Sequence, residues 1–101
     1  MIYEHKTTLT ASAGSTTTTT LKVTGGLMQQ FLVQANTSTT VFRANLVDKN
    51  SYTRMQYGFH TGELNDVGSS LPLTGAVTIN ITNASPNDIF KILVSVDESR
   101  A

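Results

Sequence analysis

The stretch Val77-Thr78-Ile79-Asn80-Ile81-Thr82 decides the fold. Apolar β-branched residues alternate strictly with small polar ones, the period of a strand with one buried face. The segment Val41-Phe42-Arg43-Ala44-Asn45-Leu46-Val47 repeats the pattern, with Phe42, Ala44 and Leu46 on one face and Arg43 and Asn45 opposite. Segment 89–97 contributes Phe90, Ile92, Val94 and Val96. Segment 27–35 places Leu27, Phe31, Val33 and Ala35 together, and segment 52–60 sets Met55, Tyr57 and Phe59 against Arg54, Gln56 and His60. Segments 2–11 and 16–24 alternate less clearly but are rich in Thr, a β-branched strand former. No helix-length amphipathic pattern interrupts them.

Turn chemistry separates these runs: Ser12-Ala13-Gly14-Ser15, Gly25-Gly26, Asn36-Thr37-Ser38, Asp48-Lys49-Asn50-Ser51 and Ala84-Ser85-Pro86-Asn87. The widest interval, 61–75, holds Gly62, Gly68, Ser69-Ser70 and Pro72 and reads as a crossover between sheets or a functional loop. Short strands with turns every ~8–12 residues make an all-β, single antiparallel β-sandwich of about seven strands, Ig-like or jelly-roll-like. One domain spans residues 1–101, with residues 1–15 an extended arm.

Seven basic and seven acidic residues cancel, and the basic ones are scattered. Binding to nucleic acid or to an anionic membrane needs clustered cations, so neither partner is expected. No run approaches the ~20 apolar residues of a membrane span. With no cysteine there is no disulfide, thiolate metal site or cysteine nucleophile. The opening Met1-Ile2-Tyr3-Glu4-His5-Lys6 lacks the apolar core of an export signal, so synthesis and folding in a reducing cytoplasm are expected. Yet 17 of 101 residues are Thr, including the run Thr16–Thr20, a composition usual for β proteins exposed outside cells.

The chemistry-bearing residues are sparse. His60 lies near Glu63 and Asp66, but no nucleophile-elbow pattern accompanies them, and turn polarity accounts for all three. No cofactor, metal or catalytic residue is expected. Leu71-Pro72-Leu73-Thr74-Gly75 has the form of a sortase signal without the apolar span and basic tail that one requires. Asn36, Asn80 and Asn83 begin formal glycosylation sequons that stay unused without export. Tyr52 has the parity opposite to Met55 and Phe59, so it is expected to be exposed, as a sugar-stacking ring would be.

Two strands carry apolar residues on their second face: Met28 and Leu32 in one, Ile89 and Leu93 in the other. Burying those four yields roughly 6–12 kcal/mol gross at ~1.5–3 each, against ~4–15 kcal/mol lost on association. They are candidate self-association residues. Ile2, Tyr3 and Leu9 of the N-terminal arm are candidates for adding to a neighbour's sheet.

A cytoplasmic protein with an extracellular surface suits a virion component released by lysis. The cysteine-free Thr/Asn/Ser-rich segments, the strand Val41–Val47 and the closing Val77–Val96 hairpin resemble the small β-sandwich decoration, or cement, proteins of tailed bacteriophages. The resemblance implies a non-enzymatic structural protein on the outer capsid surface. Its partners would be the major capsid protein and further copies of itself, as a dimer or trimer clamping the shell. A phage tail or fibre module, or a carbohydrate-binding adhesin, shares the same composition.

Overall fold

The computed structural model describes residues 1–11, 16–83 and 88–98. It is all-β and antiparallel: β1 (Ile2–Thr10), β2 (Thr16–Ala35), β3 (Val41–Val47), β4 (Thr53–Gln56), β5 (His60–Thr61), β6 (Glu63–Asn83) and β7 (Ile89–Glu98). They pair in the order β1-β7-β2-β6-β3-β4, with β5 on β3. The runs 16–24 and 27–35 are thus one strand. The interval 61–75 is no loop either, because β6 runs through most of it.

Length forces this sheet to fold on itself. The 20 residues of β2 would reach about 66 Å if straight, at ~3.3 Å per residue. The whole molecule measures 44 × 24 × 20 Å. Both long strands therefore bend, and each belongs to two layers. The first layer is β1, β7, the C-terminal half of β2 and the N-terminal half of β6. The second is the remaining halves of β2 and β6 with β3 and β4. The layers close over one apolar core, where the rings of Phe42 on β3 and Phe90 on β7 meet edge-on at 5.1 Å between centroids. Such a pair adds ~0.5–1.5 kcal/mol beyond its buried area.

Irregularities in pairing make the bend. Val23 pairs with Gly75 and Gly26 with Leu73, so Thr24 and Gly25 bulge from β2 opposite Thr74. Gly25 sits at φ 138°, a conformation open to glycine. Gly26 crosses so near β7 that a Cβ there would lie 2.1 Å from the Asp97 carbonyl oxygen. The buried carboxylate of Glu98 accepts a hydrogen bond from the bulged Thr24 amide, tying the end of β7 to the bend. A second bulge, at Gln29, faces Gly68, Ser69 and Ser70 of β6.

Each bulge resets the alternation. Inward residues of β2 are Val23, then Met28, then Phe31 and Val33, so the parity changes twice within one strand. On β6 it changes once, between Leu64 and Leu73. Met28 is accordingly a core residue and not a second-face one; its assignment to an outer interface is corrected by the Gln29 bulge. Leu27 turns outward for the same reason. Phe59 also faces solvent, because the chain leaves the sheet after Gln56, and the Arg43 guanidinium lies 5.3 Å from its ring centroid. Within the segment 1–15 read as an extended arm, Ile2–Thr10 pairs with β7 along its whole length, and residues 12–15 lie outside the described residues.

Replacing Gly26 by Ala is expected to cost roughly 3 kcal/mol or more, since backbone on β7 must move. Gly58→Ala, with nothing within 4 Å of the added carbon, is expected to stay within ~0.5 kcal/mol of the parent. Urea denaturation of the two variants checks both values.

Candidate interaction surfaces

Two broad outer faces result. On the second layer, the even-numbered threonines of the Thr16–Thr20 run point outward and line up with β6 and β3. The pairs are Thr16 with Thr82, Thr18 with Asn80 and Thr20 with Thr78. Their side chains are joined: the Thr16 and Thr82 hydroxyls lie 3.1 Å apart, Thr18 donates to Asn80 Oδ1 at 2.7 Å, and Asn80 Nδ2 donates to Asn45 Oδ1 at 2.8 Å. The odd members, Thr17 and Thr19, sit half-buried on the inner side beside Ile81 and Ile79. The alternation thus divides the five threonines between core and surface.

The outer face of the first layer is different. Antiparallel register sets its side chains in rows across the strands. Ile2, Asp97, Leu27 and Pro72 form one row; Glu4, Ser95, Gln30 and Val67 the next; Lys6, Leu93, Leu32 and Asn65 a third. Leu27 is 44% exposed and Val67 69%. Leu32 and Leu93 face each other directly and floor a groove of about 400 Å³ rimmed by Lys6, Thr8, Gln34 and Lys91.

The structure therefore brings Leu32 and Leu93 together and places Ile2 on the same face. Ile89 stands at the far end of β7, partly exposed beside Asn36, whose side chain accepts from its amide. Tyr3 and Leu9 point to the inner side of β1, half-buried, and Leu9 packs against the core. Leu27 and Val67 escape sequence reasoning. The Gln29 bulge hides the first, and the second lies in what reads as a loop.

The polar residues near His60 do not converge. His60 Nδ1 lies 2.9 Å from the Gly58 carbonyl, Glu63 accepts from Gln34 at 2.8 Å, and Asp66 accepts from the Tyr57 hydroxyl at 2.6 Å. Burial, reinforced by the Asp66 carboxylate, pushes the Tyr57 phenol well above its ordinary range, so it stays a neutral donor. Its ring stacks on Phe31 at 5.4 Å, so this contact fixes the segment after β4 to the core.

Tyr52 is 68% exposed, as its parity predicts. Beneath it, Asp48 accepts from the amides of Tyr52 at 3.0 Å and Asn50 at 2.9 Å, and Arg54 lies 3.4 Å away. The Tyr52 amide is the main cause that holds the Asp48 carboxyl below its usual 3.8.

These surfaces define a class: a bent β-sandwich presenting one self-bonded polar face and one face with apolar rows. No protein-family model matches the chain, and no curated protein matches it in sequence.

Two measurements check these contacts. Asn80→Ala removes the shared partner of Thr18 and Asn45 and is expected to lower stability by about 1 kcal/mol in urea denaturation. The Asp48 pKa is depressed by folding, so its contribution is present above the unfolded value and lost as pH falls through the folded one. The Asn50 and Tyr52 amide resonances should therefore titrate together with a midpoint below 3.8.

Proposed function

We propose that the protein is a non-enzymatic structural component of a tailed-phage virion that binds the outer capsid surface as a decoration protein. The observation that carries this reading is the outer face of the first layer. Leu27, Pro72 and Ile2 at one end, and Leu32 against Leu93 at the centre, leave apolar side chains in ordered rows on a rigid layer. A protein that braces a shell needs such a docking face and a frame that resists bending. The shared strands β2 and β6 provide that frame, because neither layer can shift without breaking the other's pairing. The polar Thr/Asn face would then look outward, its hydroxyls and amides already paired among themselves.

An adhesin reading has one specific observation in its favour, the exposed Tyr52 ring held by the Asp48 turn. It predicts glycan binding that Tyr52→Ala abolishes.

The decisive comparison is survival of particles with and without this protein under heating and low salt. Particles that carry it should keep their genome at temperatures that empty the bare ones, and equal survival would sink the clamp mechanism. Leu27→Asp should weaken binding to bare particles roughly tenfold or more without unfolding the protein.

A further inference from the structure

The two ends of the sheet are built differently. At one end β4 has four residues, and its pairing with β3 shifts register between Leu46 and Val47. Short, irregular edges resist further pairing. At the other end, β1 is nine residues long and pairs with β7 without one register shift, and its sequence has no proline. Among the described residues β7 is its sole strand neighbour, so its far side is an open backbone edge.

The hydrogen bonds at both ends of β1 show which residues serve that edge. The Met1 carbonyl accepts from the Glu98 amide, and the Ala11 amide donates to the Asp88 carbonyl. Backbone groups in an antiparallel strand alternate sides. Met1, Tyr3, His5, Thr7, Leu9 and Ala11 therefore turn their backbone groups to β7. Ile2, Glu4, Lys6, Thr8 and Thr10 turn theirs away from it.

We propose that β1 is a dimerisation edge that pairs antiparallel with β1 of a second copy, with Glu4 opposite Lys6. The occupant and the register follow from charge. Only pairings that set even residues opposite even residues join outward-facing groups to outward-facing groups. Sliding one residue pair in one direction puts Glu4 opposite Glu4, and sliding in the other puts Lys6 opposite Lys6. The register between them places Glu4 against Lys6 twice by symmetry, Ile2 against Thr8, and His5 against His5 at the two-fold axis. Like charges directly opposite are destabilising and opposite charges stabilising, so one register is selected. The edge is self-complementary, as a two-fold interface requires. Both charges stand in solvent: Glu4 and Lys6 side chains are 53% and 66% exposed and contact each other loosely at 3.6 Å. The resulting sheet runs unbroken through both copies.

This inference is independent of the virion role, since it concerns the isolated protein, and either can fail alone. Light scattering of the full chain in the absence of particles should give a mass near twice 10.9 kDa. Glu4→Lys and Lys6→Glu should each weaken dimerisation about tenfold or more, and the double swap Glu4→Lys/Lys6→Glu should restore it. Thr8→Pro removes an outward amide and no bond to β7, so the protein should stay folded by circular dichroism yet be monomeric. With rising protein concentration, exchange of the Ile2, Glu4, Lys6 and Thr8 amides should slow. A parent monomer at submillimolar concentration overturns the proposal. So does a swap that fails to restore the dimer, or a dimer that survives Thr8→Pro and is lost instead on Leu93→Asp.

Discussion

The structure depends on one constraint: two strands too long for the molecule must bend at the same place. Gly26 lies directly against the Asp97 carbonyl at that bend, where no side chain fits. The Thr24-Gly25 bulge supplies the turn, and the buried Glu98 carboxylate holds the bulged amide. From this crossing come the two layers, the Phe42–Phe90 contact that closes them, and the choice of residues for each face. Continuous strands join the layers directly, in addition to connections such as residues 36–40, which lead from the first-layer end of β2 to β3 in the second. The shared strands also couple the layers, because β2 and β6 hydrogen-bond in both.

Alternation in the sequence was sufficient where strands are regular. Val77, Ile79 and Ile81, Phe42, Ala44 and Leu46, and Phe90, Ile92, Val94 and Val96 all lie in the core as their spacing requires. It failed where a bulge intervenes, since one extra residue inverts every assignment after it. Met28 and Leu27 exchanged places for that reason. The Gly68-Ser69-Ser70 cluster reads as a loop because its composition suits positive φ, and Gly68 and Ser70 do adopt it, at 86° and 53°. Yet pairing with β2 resumes on both sides, so the composition marked a bulge within a strand. At β1, sequence composition resembles a solvated arm. Its threonines mark it as a strand former, but what places it in this sheet is its neighbour β7, whose backbone offers a full ladder.

Threonine is the residue that stands out in the sequence, and the structure explains it without any chemistry of its own. A β-branched side chain favours the strand, and a hydroxyl lets it face solvent or a neighbouring polar group. Thr17 and Thr19 use the first property on the inner side; Thr16, Thr18 and Thr20 use both on the outer side. The outer hydroxyls and amides satisfy one another across β2, β6 and β3. A partner displacing those bonds would regain in contacts about what it disrupts, so this face offers little net driving force.

The first layer is where unspent binding capacity concentrates, and it is of two kinds. Its outer face holds apolar rows, whose burial is favourable and weakly directional. Its β1 edge holds backbone groups, whose pairing is directional and fixes register. The two do not compete. The proposed pairing along β1 would consume the outward amides and carbonyls of Ile2, Glu4, Lys6 and Thr8 and leave Leu27, Leu32 and Leu93 accessible. The two-fold axis of the proposed dimer would set both copies' rows on one sheet of twice the width. A face-to-face dimer would instead cover Leu32 and Leu93 and leave the long edge exposed to indiscriminate pairing. In the proposed dimer, edge pairing would protect the hazardous part of the layer and double the apolar area on one side, so that two weak faces would act together on any surface they dock against.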